Sequence, residues 1–216
     1  MRDEGYIKFH CEWIDGPARG WHKIQTLNEW RQLMYDVGLI GAYRDGIGFG
    51  NISIRDTPAH EFIITGSATG NLRKLRPEHF TRVLDYDFDE NRVRCKGPIK
   101  ASSESLTHAS FYEASRSINA VIHIHHRELW RKYFNKLPTT PPDVAYGTPE
   151  MAREVFRLLK DNTRPTKQLV IMGGHEDGVM AYGSSLGHAA SVLLNCCDRI
   201  FRHSKPEIER PHIASS

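Results

Sequence analysis

The sequence predicts a single three-layer α/β/α domain built on one central mixed, mainly antiparallel sheet. Three observations point there. The apolar runs that read as strands arrive mostly as hairpins, and segments of helical spacing fall between them without strict strand–helix alternation. The chain has 216 residues, 39% hydrophobic and 25% charged, enough for one well-filled core and short for two. No GxGxxG opens a helix after a strand, which disfavours a dinucleotide-binding sheet.

The elements follow in order. Residues 6–13 alternate so that Ile7, Phe9, Cys11 and Trp13 share a face, which makes residues 1–25 an N-terminal arm or extra strand. The domain proper is expected over 26–203. It begins with a capping box, Thr26 and Glu29, that launches a helix carrying Trp30, Leu33, Met34 and Val37. Gly41 to Gly50 reads as a glycine-rich loop, followed by strands 51–55 and 61–65 around a turn at Pro58. A second hairpin is expected from 83–88 and 92–95, then a helix over 103–116 and a β-branched strand over 119–125. A short helix over 129–134 leads into a proline-rich connection, 137–142. Thr148 and Pro149 then suit an N-cap and first turn for a helix over 150–159. Strands 168–172 and 178–182 and a helix over 186–203 complete the domain, and residues 204–216 form a polar tail.

Composition excludes several function classes. Twenty-nine basic against 26 acidic residues leave a charge of +3, too small and scattered to imply nucleic acid. No run approaches the roughly 20 apolar residues of a membrane span, and the first ten residues lack the apolar core of a secretory signal, so a cytoplasmic protein is expected. The four cysteines have no zinc-finger or CxxC spacing and read as reduced core thiols.

The chemistry concentrates in Val121-Ile122-His123-Ile124-His125-His126. On a strand His123 and His125 project from one face, close enough to grip one metal ion, while His126 falls on the other parity as a neighbour. A catalytic zinc normally takes three protein ligands and leaves one position open, so a third ligand is required. His175, in the GGHEDG turn after the 168–172 strand, is the candidate, with Asp177 as its rival; the same turn also serves as a plain hairpin connection. Ser102 and Ser103 stand at a helix start, where hydroxyls and backbone N–H groups suit an anion such as phosphate or, equally, simple capping with Glu104 in the first turn. Asn51 after Gly50, and the Thr65-Gly66-Ser67-Ala68-Thr69-Gly70 run, fit either phosphate binding or ordinary turns.

Taken together, FGNISIR, FIITGSATG, ASSESLTH, INAVIHIHH, AYGTPEMA and GGHEDGVMAYG, in that order and spacing, make residues 27–200 resemble the class II aldolase and adducin family, which includes sugar-phosphate aldolases and epimerases. The resemblance implies that His123 and His125 are paired zinc ligands, that His175 is the third, and that Glu104 is the acid/base carboxylate. It implies that Asn51, Thr65, Gly66, Ser102 and Ser103 cradle a substrate phosphate, and that the chain assembles as a homotetramer with its active site between subunits.

The departures are specific. Glu176 and Asp177 separate His175 from the glycine that the family places next to it, Ala101 stands where a proline is usual, and the 65–70 loop is about one residue longer. The 135–146 segment is short, and Tyr133 and Tyr146 are the tyrosines near it.

The implied function is that of a metal-dependent aldolase-type lyase. Its substrate would be a small sugar phosphate or hydroxy-ketone, handled through an enediolate stabilised by Zn²⁺ or another divalent metal. The same site would also serve a dehydratase, epimerase or decarboxylase. A non-catalytic adducin-like module would be expected to lack these ligands.

Overall fold

The structure is a computed structural model that describes residues 5–18, 21–57, 59–161 and 167–203. Its strands are β1 (His10–Asp15), β2 (Gly41–Ala42), β3 (Gly48–Phe49), β4 (Asn51–Arg55), β5 (Phe62–Thr65), β6 (Phe80–Asp87), β7 (Arg92–Gly97), β8 (Ala120–His125), β9 (Leu169–Ile171) and β10 (Gly178–Gly183). The helices are α1 (Trp21–Asp36), α2 (Ser105–Ala114), α3 (Arg127–Tyr133), α4 (Pro149–Lys160) and α5 (Leu186–His203). The tail 204–216 and the Pro58 turn position lie outside the described residues.

Among the described residues, eight strands form one sheet in the order β1-β7-β6-β5-β4-β8-β10-β9. Every neighbouring pair is antiparallel except β1 with β7, so the sheet is mixed and mainly antiparallel as expected. Strand parity divides the core into two faces. Ile52, Ile63, Ile122, Ile124, Val179 and Ala181 point to one side, where they pack with Leu27 and Met34 of α1 and Ala189 and Leu193 of α5. Phe62, Ile64, Val121 and Met180 point to the other, against Leu106 and Phe111 of α2 and Met151 and Val155 of α4. Full burial of such aliphatic side chains stabilises by about 1.5–3 kcal/mol each, which makes this two-sided burial the main force holding the three layers together.

Four local expectations are corrected. The helix α1 begins at Trp21, not at a capping box: Thr26 Oγ1 donates back to His22 O at 3.1 Å inside the helix, and Glu29 Oε1 lies 3.5 Å from Gln25 Nε2. The boundary drawn between residues 25 and 26 therefore falls within a helix. The run 41–50 is a small β2–β3 hairpin rather than an unstructured loop, with Gly41 opposite Phe49. The first strand starts at His10, and it joins the sheet edge through a parallel register of His10 with Arg92. The helix expected from Ser103 begins at Ser105, because Ser102 O accepts both Ser105 N and Ser105 Oγ and Ser102 Oγ accepts Glu104 N, which tightens the preceding turn. The start of α4 is as read: Thr148 Oγ1 accepts from Met151 N, with Pro149 in the first turn.

Candidate metal centre and polar pocket

The β8 strand supplies two histidines because its parity alternates between the two cores. Ala120, Ile122 and Ile124 face α1 and α5, so His123 and His125 emerge on the α2 side at the end of the strand. Their registers fix them further: His123 lies opposite Asn51 on β4 and Met180 on β10, and His125 lies opposite Gly178.

The third ring comes from the turn between β9 and β10. His175 N donates to Met172 O, Gly178 N donates to His175 O, and His126 N donates to Asp177 O, which ties this turn to the end of β8. The rings of His123, His125 and His175 have centroids 4.5–5.1 Å apart, and one nitrogen from each lies within 4.8 Å of the others. All three residues are buried, as is Glu104, whose Oε1 stands 3.9 Å from His175 Nδ1.

The rival carboxylate goes elsewhere. Asp177 Oδ1 lies 3.5 Å from Arg127 Nε, and Asp177 does not join the histidine cluster. The off-parity His126 caps α3, its Nδ1 accepting from Leu129 N at 3.1 Å.

Tautomers are set by neighbours that lie far away in sequence. Tyr43 Oη is 2.6 Å from His125 Nδ1, and Asn51 Nδ2 is 3.4 Å from His123 Nδ1. Engaging both Nδ1 atoms assigns ion binding to the Nε2 atoms, and the buried His123 Nε2 makes no hydrogen bond. For an ion to be held at Nε2, His123 Nδ1 must carry the proton, and the Asn51 amide, which here faces its Nδ2 to the ring, must turn over so that its oxygen accepts. Burial, reinforced by His125, His175 and His108, lowers the His123 pKa and keeps it neutral, the form that binds metal.

The donor set therefore fits a divalent metal ion. Three nitrogens about 2.1 Å from one tetrahedral ion stand about 3.4 Å from one another, so the most separated rings need to draw in by roughly 1.4 Å at most.

A second layer packs around the rings. Tyr146 stacks on His175 with centroids 3.8 Å apart and planes at 13°, and Phe49 lies 5.2 Å from His125. Behind His123, the fully buried His108 shares Ser53 Oγ with Tyr112, at 2.7 and 2.6 Å. The sequence reading did not reach Tyr43 or His108. Tyr43 is separated by 82 residues from the ring it touches, and nothing local marks it. Tyr146 sits in a recognised motif, yet its contact depends on how the short 135–146 connection folds back onto the His175 turn.

Beside this cluster is a small pocket lined by Gly48, Gly50, Asn51, Gly66, Ser102, Ser103 and Glu104, together with Gly5, Phe49, Ala68 and Gly70. Four of the expected phosphate-cradling residues, Asn51, Gly66, Ser102 and Ser103, thus line one cavity. Thr65 does not: its buried hydroxyl accepts from Ile52 N at 3.3 Å within the β4–β5 pair. The other two hydroxyls of that loop are engaged as well, Thr69 Oγ1 with Gly66 O and Ser67 Oγ with Gly5 O.

The loop itself is clamped from α1, where the buried Arg31 donates to the carbonyls of Thr69, Gly70 and Arg73 at 3.0–3.1 Å. It also passes so close to β3 that a Cβ on Gly70 would lie 2.7 Å from Phe49 N, which only glycine allows.

Comparison with known proteins agrees with this architecture. Residues 42–131 match the family model described as the class II aldolase and adducin N-terminal domain. Among solved structures, an L-fuculose 1-phosphate aldolase is 17% identical with a TM-score of 0.61, covering 90% of this chain and 93% of its own. YgbL from Klebsiella pneumoniae is 19% identical with a TM-score of 0.63, over 88% and 93%. A sugar-phosphate aldolase from Thermotoga maritima is 15% identical with a TM-score of 0.61, over 87% and 98%. At these identities the likeness establishes the fold. No curated protein matches the chain in sequence.

Proposed function

We propose that this protein is a metal-dependent lyase of the class II aldolase type, a reading supported by the match of residues 42–131 to the class II aldolase and adducin N-terminal domain and by the class II aldolase-like fold of the chain. Its substrate is a small hydroxy-carbonyl compound, a sugar phosphate or a hydroxy-ketone. The observation that carries the reading is the convergence of His123, His125 and His175 beside the buried carboxyl of Glu104. A non-catalytic module has no use for three buried imidazoles whose removal from water costs stability and returns nothing without an ion.

A divalent ion bound there, zinc by its donor set, supplies Lewis-acid polarisation of a substrate carbonyl and stabilises the negative charge that forms beside it. The protein's own residues do the rest. His123 and His125 present fixed rings because Asn51 and Tyr43 hold their far nitrogens. Glu104 is the group that moves the proton, since its buried carboxylate stands 3.9 Å from His175 and lines the adjoining pocket. Asn51, Ser102, Ser103 and Gly66 position the polar end of the substrate there. The half-buried aromatic rings of Phe49 and Tyr146 cover two of the histidines and limit the access of water to them.

The proposal includes the family's homotetramer and a cytoplasmic setting, with no nucleic-acid or membrane partner; no helix among the described residues is long and apolar enough to cross a membrane.

The test is elemental analysis of tag-free protein together with product identification on a panel of hydroxy-carbonyl substrates. About one divalent ion per chain is expected, lost in a His123→Ala/His125→Ala variant, with carbon–carbon cleavage products formed only by the metal-loaded protein. Unchanged metal content in that variant would overturn the assignment.

A further inference from the structure

The pocket at the start of α2 has the chemistry of an anion cradle: a serine pair, glycine loops and an amide. Its free volume, however, is only about 20 Å³. A single water needs roughly 10–15 Å³ on that scale, so the pocket holds one water. A phosphoryl group brings three oxygens of about that size around a phosphorus atom.

One part of the pocket wall belongs to an element outside the matched family segment. Gly5 lines the pocket, and Gly5 O accepts from Ser67 Oγ at 2.8 Å. The backbone of Ala68, itself at φ +57°, backs that contact. The strap that Gly5 begins is pinned twice more before it becomes β1. Asn91 Nδ2 donates to Lys8 O at 2.9 Å, and Lys8 Nζ donates to Tyr146 O at 3.0 Å while lying 4.0 Å over the Tyr146 ring. That ring's stacking partner, at 3.8 Å, is His175. Phe9, the next residue but one to β1's second position, is buried in the α2-side core and holds the strap down. No cationic side chain lines the pocket among the described residues, so a dianion there would face Glu104 without a compensating charge.

We infer that residues 5–8 are a specificity strap: they reduce the pocket to the size of a neutral polar end, so that the chain acts on small unphosphorylated hydroxy-carbonyl compounds and rejects their phosphate esters. The inference rests on the aldolase-type reading of the metal centre and narrows its substrate class. The strap also links substrate end and metal, because Lys8 and His175 each rest on the Tyr146 ring. Lys8 is thereby a positioning residue.

The experiment compares the full chain, a full-length Ser67→Ala variant that releases the first pin, and a variant shortened to begin at Lys8, which keeps Phe9 and all of β1. Each is loaded with zinc and its metal content measured. Each is then titrated with inorganic phosphate while its melting temperature is followed. Mass action predicts no phosphate-dependent shift for the full chain. For the shortened variant it predicts a rise of about 5–11 °C at phosphate about 100-fold above Kd, abolished by Ser103→Ala, with Ser67→Ala in between. Turnover of dihydroxyacetone-type ketones over their phosphate esters by the full chain, reversed in the shortened variant, is the matching activity result. A phosphate shift of equal size in full and shortened chains overturns the strap, and so does its absence from both. Loss of metal from all three proteins instead fails the metal-centre reading, which the phosphate titration leaves separately readable. If the shortened variant does not fold, the Ser67→Ala chain alone decides: an unaltered phosphate response there overturns the strap.

Discussion

Removing one oxygen from Tyr43 gives the sharpest test of how the metal centre is organised. The Tyr43→Phe variant keeps the ring that packs 4.7 Å from Phe49 and edge-on to His125 at 5.8 Å, so no cavity opens and the volume change is negligible. What it loses is the 2.6 Å contact with His125 Nδ1. With an ion at Nε2, that Nδ1 carries a proton and donates to the Tyr43 oxygen. Without it, the buried N–H loses this acceptor, and the contact that favours the binding tautomer is gone.

Outer-shell losses of this kind reduce metal affinity by about 10- to 100-fold, equivalent to roughly 1.4–2.7 kcal/mol. Competition for zinc against a chromophoric chelator at fixed pH reads the change directly, and urea unfolding of the metal-free proteins confirms that the fold is intact. A variant whose zinc affinity stays within about twofold of the parent would refute the reasoning, because the short contact would then have no part in presenting His125.

Two further outcomes follow from the packing and the buried titratable groups. Replacing Arg31 by Ala removes one donor from each of three carbonyls, those of Thr69, Gly70 and Arg73, and leaves Thr69 O only Leu72 N; it should cost about 2 kcal/mol in urea unfolding, partly restored by Lys, and a loss under about 1 kcal/mol would show that the loop needs no clamp. His108, whose pKa burial lowers to about 3, stays neutral in the fold while the unfolded chain takes up a proton near pH 6.5. Acid therefore favours the unfolded state between those two values. Stability of the chelator-treated protein should fall by up to about 1.4 kcal/mol per pH unit below about 6.5, with a shallower slope in His108→Gln; equal slopes would show that His108 does not carry the effect.

The sequence determined the elements whose signal is local. Alternation from Val121 to His125 set a strand with both imidazoles on one face, Thr148 with Pro149 set the start of α4, and the hairpin pattern set a mainly antiparallel sheet. Each follows from a backbone period or a cap that neighbouring residues decide between themselves.

Where local chemistry offered two equal partners, the sequence could not choose. Thr26 and Glu29 have the spacing of a cap, but the helix runs through them because residues from Ile24 to Met34 bury one face against the sheet. Thr65 has the composition of a phosphate loop, but strand pairing claimed its hydroxyl. Only the tertiary structure decided that the His175 ring rather than the Asp177 carboxylate joins the two β8 histidines, that Tyr43 and Asn51 contact those histidines, and that Gly5 lines the pocket. These are contacts between segments tens of residues apart, fixed by the order of strands in the sheet and by what each turn must bury, and no short window of sequence contains them.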